Sequence, residues 1–254
     1  MRPVNVALAS FLSSCPDVTT IGIRALIGDY SGEEQALLAR ARRIFFPTIR
    51  FVDIFHAAGK VCFPSYFNYK IQRSRILQAT LLSYSNWPHP PTRIYFGPRQ
   101  KSRIPMDFGY PFLLMGPLAR ADTRHLVEDE ATFRRLAASY NPVIVQAHSP
   151  WRESIRLICV AFECLAAFRT AFDHGDPAGT MPIPTERVRS MGLWSETKRL
   201  LTEARLDDMA VEWGLGSNGW RLIEMSRPPA SMESPRGIIH RHHHICRLIQ
   251  RGIL

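Results

Sequence analysis

Apolar positions along residues 1–70 recur with two different periods. The opening run "MRPVNVALASFLSSC" is short, broken by Asn5, and reads as a first strand rather than a signal segment. "TTIGIRALIG" (19–28), "RIFFPT" (43–48) and "VCFPS" (61–65) are apolar runs of strand length. Between them, "SGEEQALLARAR" (31–42) carries apolar residues at helical spacing. Ser31 and Glu34, three positions apart, form a capping box at its start. "RFVDIFHAAGK" (50–60) predicts a second helix, with Gly59 at its C-cap. The result is a small βαβαβ unit, too short for a complete dinucleotide-binding domain and without a GxGxxG turn.

Beyond residue 70 the alternation becomes irregular. "YKIQRSRILQATLLSYSN" (69–86) predicts one helix, ended by the proline cluster "WPHPPT" (87–92), which reads as a linker. "RIYFG", "PFLLMG" and "PVIVQAH" (142–148) predict strands, with a helix over 129–140 between the last two. "SIRLICVAFECLAAFR" (154–169) predicts a strand pair, 197–208 a helix, 211–229 a hairpin, and 240–252 a closing helix. Helices and strands that mix without strict alternation indicate an α+β fold. The expected organisation is a small α/β domain over 1–70, followed by a larger domain over 71–254.

Composition narrows the class. With 46% apolar and 21% charged residues, the chain of 254 is globular. The longest apolar stretches, such as "LICVAF" (157–162), are strand-sized, so no transmembrane span is expected and a cytoplasmic protein is. A formal charge of +10, carried almost entirely by arginine, suits an acidic partner such as a nucleotide or an acidic peptide, or a solvated basic surface. Nucleic acid is a weaker candidate, because no recognition motif accompanies the charge. The five cysteines lack CxxC spacing and predict neither a disulfide framework nor a zinc site; Cys159 and Cys164 read as small buried hydrophobes. A homodimer is left open.

The sharpest chemical feature is "VEWGLGSNGWRLIEMSRPP" (211–229). It sets Glu212 and Glu224 among apolar neighbours on either side of a glycine-broken turn. A buried carboxylate is costly unless paired, hydrogen-bonded or bound to a metal. Opposed like charges on one sheet face are unfavourable without a cation. His240 and His244 stand four apart, a ligand-compatible spacing, but without a Cys or acidic helper they read as a solvated or peptide-facing helix. Arg227, at the strand exit, is a candidate contact for an acidic substrate.

In order and spacing, the segments 73–96, 142–169 and 209–229 resemble the ATP-grasp ligases, in particular the glutamate and amino-acid ligase (RimK-like) branch. The resemblance runs over roughly residues 20–254. It implies two α+β subdomains gripping ATP, with Mg²⁺ held against the phosphates by Glu212, Glu224 and Ser226, the last standing where the family has Asn. It implies a charge-stabilising catalytic role for Arg156, which matches the arginine of a D-x-R strand. Val145, Gln146, Ala147 and His148 match the hinge whose backbone reads the adenine ring; His148 could equally be a surface residue.

Several positions depart from the family pattern. Arg75 and Met115 stand where the family has ATP-binding lysines, and Met115 on its own reads more readily as core. The covering loop "GPLARADTRHL" has one glycine where the family is rich in Gly and Ser, though Arg120 and Arg124 restore positive charge. Ala147 and Ser154 replace acidic residues. The resemblance implies an ATP- and Mg²⁺-dependent carboxylate–amine ligase acting through an acyl phosphate on an amino acid or acidic peptide. The alternative is a degenerate relative that binds nucleotide or a partner without turnover.

Overall fold

The computed structural model describes residues 4–173, 176–234 and 237–254. Four elements of the N-terminal part form an all-parallel sheet in the order β2-β1-β3-β4: β1 (Val4–Ala7), β2 (Thr19–Thr20), β3 (Ala41–Phe45) and β4 (Val61–Phe63). Helices α1 (Gly32–Arg40) and α2 (Ile49–Ala57) make the crossovers. The Ser31–Glu34 capping box forms as the spacing predicts, and Gly59 follows α2 with φ of 70°. Strand alternation divides the apolar side chains between two cores. Val6, Ile44 and Cys62 face α1 and α2, whereas Ala7, Phe45 and Phe63 face the C-terminal helix.

The 19–28 strand is a correction, since only Thr19–Thr20 pairs. Gly22 turns the chain at φ of 84°, and the Tyr30 hydroxyl holds the departing loop by donating to Gly22 O and accepting from Arg24 N–H. The 69–86 helix is a second. It divides into α3 (Tyr66–Ile71) and α4 (Arg75–Tyr84), because Ser74 caps a new start by accepting from Leu77 N–H.

Next comes a four-stranded antiparallel sheet, β5-β8-β6-β7. Its elements in chain order are β5 (Thr92–Tyr95), α5 (Gly97–Lys101), α6 (Ile104–Phe108), β6 (Phe112–Met115), β7 (Arg124–Val127), α7 (Glu130–Ala137) and β8 (Val143–Ala147). One face buries Phe112, Leu114, Val143 and Val145 beneath Ile104 and Phe133.

The largest sheet is antiparallel, ordered β11-β10-β9-β12-β13, from β9 (Glu153–Val160), β10 (Glu163–Asp173), β11 (Asp176–Ile183), β12 (Asp208–Gly216) and β13 (Gly219–Ser226). Helices α8 (Thr185–Ser190) and α9 (Leu193–Glu203) cover one face, over Leu157, Val211, Trp213 and Met225. The helix expected over 197–208 therefore begins earlier and ends before Asp208, which opens a strand. A short pair, β14 (Ser231–Ser234) and β15 (Gly237–His240), leads into α10 (Arg241–Gln250).

Two further readings are corrected. The "WPHPPT" segment is no loose linker: Trp87 is buried in the main core, and Pro88 O accepts Leu222 N–H. Cys15 and Cys246 are joined as a disulfide across 231 positions, so α10 is tied to the loop after β1. Cys159 is buried as expected and Cys164 half-buried. Among the described residues no helix is long and apolar enough to cross a membrane.

Candidate functional site

The face of the largest sheet away from α8 and α9, which β14 and β15 cover in part over Ile158 and Ala210, carries the acidic hairpin. Glu212 on β12 pairs in register with Glu224 on β13 and, on its other side, with Arg156 on β9. Because side chains alternate along a strand, this places Arg156, Glu212 and Glu224 in one transverse row on the face away from α9. Each is partnered. Ser154 donates to Glu212 Oε1 at 2.7 Å, Arg124 lies 3.7 Å from Glu224 Oε2, and Arg156 donates to Ser226 Oγ at 2.8 Å. Glycine is required beside this row, since a β-carbon at Gly214 would come within 2.7 Å of the Trp151 indole.

A cavity of about 280 Å³ lies between edge strand β13, helix α4 and the inner face of the small sheet. It brings together Arg75, Met115, Gln146, Glu224 and Ser226 from the expected set, with Arg120 and Arg124 from the covering loop and β7. Val145 is not among them; on the opposite face of β8, its side chain packs in the small-sheet core. Ala147 and His148 do not line it either. Ala147 N–H is donated to Pro91 O, and His148 is exposed. Glu212 sits one strand inside the cavity edge, and Arg156 lines a neighbouring shallow cavity instead. Met115 is buried and also forms part of the wall. Gln78 and His89 line the cavity too; neither carries a signal at sequence level, because both are placed by the packing of α4 and the proline segment.

Arg75 departs most from expectation. Its Nη1 donates to Leu118 O at 2.7 Å and Thr123 Oγ1 at 2.6 Å, with longer contacts to Gly116 O and Thr123 O, and its Nη2 donates to Arg120 O at 2.6 Å. Burial and the nearby Arg124 guanidinium pull its pKa below the ordinary arginine value. Arg75 therefore clamps the carbonyls of loop 116–123. Four of the loop's N–H groups are committed too: those of Gly116, Ala119, Arg120 and Thr123 are donated to backbone carbonyls, and Pro117 has none. Gly116 is the one position there that must be glycine, since a β-carbon would approach the Tyr140 ring to 2.9 Å. The side chains of Arg120 and Arg124 bring positive charge to the cavity.

Two opposed carboxylates, Glu224 at the edge of an arginine-lined cavity and Glu212 one strand behind it, suit a divalent ion brought in with phosphate oxygens. Mg²⁺ commonly takes one or two carboxylates, with phosphate and water completing its shell. An all-protein metal cage is not present, since no group of three or more His, Cys, Asp or Glu residues among those described could hold an ion. The histidines follow the same pattern. His240 ends β15 rather than lying on α10, and His242 stacks on Phe11 at 4.5 Å. Burial and the Arg241 and Arg227 charges hold the His242 pKa down at about 4.

No protein-family model matches the sequence, and no curated protein matches it. Solved structures do. An ATP-grasp ligase, PsnB, complexed with a phosphomimetic variant of a minimal precursor, Mg and ADP, superposes with a TM-score of 0.66 at 13% identity, over 99% of this chain and 98% of that one. The RimK domain protein ATP-grasp from Sphaerobacter thermophilus gives 0.65 at 14% identity, over 88% and 90%. An ADP complex of purK, N5-carboxyaminoimidazole ribonucleotide synthetase, gives 0.64 at 13% identity; there the match covers 88% of this chain but spans only 63% of the other. At these identities the likeness is one of fold, and the fold is ATP-grasp.

Proposed function

From an ATP-grasp fold with this cleft, we propose that the chain is an ATP-dependent carboxylate–amine ligase, its division at residue 70 setting a small α/β unit in front of the nucleotide-gripping part. The observation that carries the reading is the convergence of Glu224, Ser226, Arg120 and Arg124 on one cavity between the two antiparallel sheets. Glu212 and Glu224, with Ser226, would hold Mg²⁺, which would neutralise phosphate charge as the transferred group departs. Arg120 and Arg124 orient the phosphates, and Gln146 with the β8 backbone borders the base. Arg156 fixes the Ser226 hydroxyl through its 2.8 Å hydrogen bond and adds positive charge to the row. A substrate carboxylate oxygen attacks the γ-phosphorus and ADP leaves. The amine then attacks the acyl carbon, releasing inorganic phosphate and one proton. Positioning and charge neutralisation do most of the work in such transfers.

The basic surface suits an amino acid or an acidic peptide as partner. In a cytoplasmic setting, which is part of this reading, Cys15 and Cys246 would be held largely as thiols. A second reading, nucleotide binding without turnover, is favoured by one observation: the covering loop spends the N–H groups of Gly116, Ala119, Arg120 and Thr123 on itself and on Arg73. Release of ADP and phosphate from ATP and Mg²⁺ across a panel of acid–amine pairs separates the two. Release that depends on both an acid and an amine supports the ligase. Tight nucleotide binding with no release on any pair supports the second reading.

A further inference from the structure

A second cavity, of about 500 Å³, lies behind the covering loop and shares Ala119 and Arg120 with the first. Its two walls differ in kind. The N-terminal unit contributes carbon: Phe11, Ile23, Phe46 and Ile49. The opposite wall contributes Arg73, Arg120 and Arg227. Phe11, Ile23 and Leu118 are 41%, 54% and 50% exposed, so large apolar side chains left open to solvent gather in this one cavity. Clustered exposure of that kind marks a place where something apolar docks.

Two of the charges on the other wall stand outside any ion pair. Among the described residues neither Arg73 nor Arg227 has a carboxylate within ion-pair distance, and the Arg227 guanidinium stands 5.9 Å over the Phe11 ring. Arg120 is held only by an exposed pair with Asp122. The one carboxylate on the wall, Asp208, is fully buried, and both its oxygens accept from Arg241 Nη1, at 2.7 and 2.6 Å. Guanidinium forks of this type match carboxylates in charge and geometry.

We infer that this cavity binds a carboxylic acid with an apolar body, its acid head against Arg227 and Arg120 and its carbon body against Phe11, Ile23 and Ile49. The assignment of that acid as the substrate rests on the ligase reading, because the shared Arg120 sets the acid head beside the phosphate end of the first cavity. It narrows the reading, since acids with a second charge in place of the apolar body would set that charge against the carbon wall, at a desolvation cost.

The test is calorimetric titration of the intact chain, free of nucleotide, with 3-phenylpropanoate, glutarate and 3-phenylpropylamine. Phenylpropanoate should bind at least about tenfold more tightly than either of the others. Arg227→Gln and Phe11→Ser, both changes at exposed side chains, should each weaken it about tenfold or more, and Arg227→Lys should keep part of the affinity. Matching melting curves establish that the variants are folded. Glutarate binding as tightly as phenylpropanoate, or phenylpropanoate binding unchanged in both Arg227→Gln and Phe11→Ser, would overturn the inference. ADP with Mg²⁺, titrated into the same samples, keeps the two claims apart. ADP binding without an apolar-acid preference removes this inference and leaves the nucleotide site. An apolar-acid preference without ADP binding supports the cavity assignment and removes the ligase reading.

Discussion

Replacing Arg75 by Met keeps the length of the side chain and removes its guanidinium donors to loop 116–123, while the backbone bond from Arg75 N–H to Pro117 O remains. Three of its contacts are short, to Leu118 O, Thr123 Oγ1 and Arg120 O, at 2.7, 2.6 and 2.6 Å. Hydrogen bonds to a charged group contribute about 1.5–3 kcal/mol each, so the gross loss is about 4.5–9 kcal/mol. Leu118 and Arg120 are exposed, and their carbonyls can turn to water, which reduces the net loss to about 2–3 kcal/mol. The loss falls on the loop, because the rest of α4 stays packed through Leu82. A loop opening that costs about 2–3 kcal/mol less is about 30–150 times more populated. Hydrogen exchange resolved over residues 116–123 reads this directly, since Gly116, Ala119, Arg120 and Thr123 each donate a backbone N–H there. Exchange of those amides should accelerate by that factor in Arg75→Met and by less in Arg75→Lys. Exchange within about twofold of the parent would show that the guanidinium is not what orders the loop, and the clamp assignment would fail.

Other perturbations probe the frame around the site. Asp207 is half-buried beside Asp208, and burial raises its carboxyl pKa to about 7, although Ser65 N–H and the Arg43 charge oppose the shift. Between about pH 4 and pH 7 the folded chain holds a proton that the unfolded chain has lost, so stability should fall as pH rises through that window, by at most about 1.4 kcal/mol per unit. Asp207→Asn should flatten that slope in urea melts at stepped pH; an unchanged slope would assign the titration elsewhere. Arg241→Met strands the buried Asp208 carboxylate, a loss of about 3–5 kcal/mol that should lower the melting temperature by roughly 6–20 °C. The double variant with Asp208→Asn should recover most of it, and a drop below about 2 °C in the single variant would contradict the pair's importance. Reduction of Cys15–Cys246, or Cys15→Ser, opens a cross-link over 231 positions and should remove about 3–5 kcal/mol from the denaturation free energy of the oxidised protein; equal midpoints with and without reductant would show the link to be energetically silent.

Legibility in the sequence followed the range of the forces involved. The Ser31–Glu34 capping box, the Gly59 stop and the paired Glu212 and Glu224 are decided by residues a few positions apart or by strand alternation, and the chain displays them openly. The break between α3 and α4 is hidden, because the spacing of apolar residues continues through Gln72 and Arg73 and the Ser74 cap acts together with a distant bond, from Arg75 N–H to Pro117 O. The role of Arg75 was hidden for the same reason. A cation at a family position suggests a phosphate contact, but the loop it clamps is built from carbonyls that no sequence pattern reports. The Cys15–Cys246 link was equally out of reach, since two isolated cysteines carry no pairing signal until α10 packs against the N-terminal sheet. Within the segment that matches the hinge, strand alternation turns the Val145 side chain into the core while Ile144 and Gln146 face the cavity, which leaves only the backbone of Val145 for a hinge role.

The central claim is that the cleft takes a magnesium nucleotide at the Glu224 edge. Calorimetric titration of ADP into the intact chain, with Mg²⁺ and with chelator, and repeated on Glu224→Gln, addresses it most directly. Saturable binding is expected that weakens about tenfold or more both without Mg²⁺ and in the variant. ADP affinity that is the same with Mg²⁺, with chelator and in Glu224→Gln would contradict the claim, as would the absence of binding at millimolar ADP.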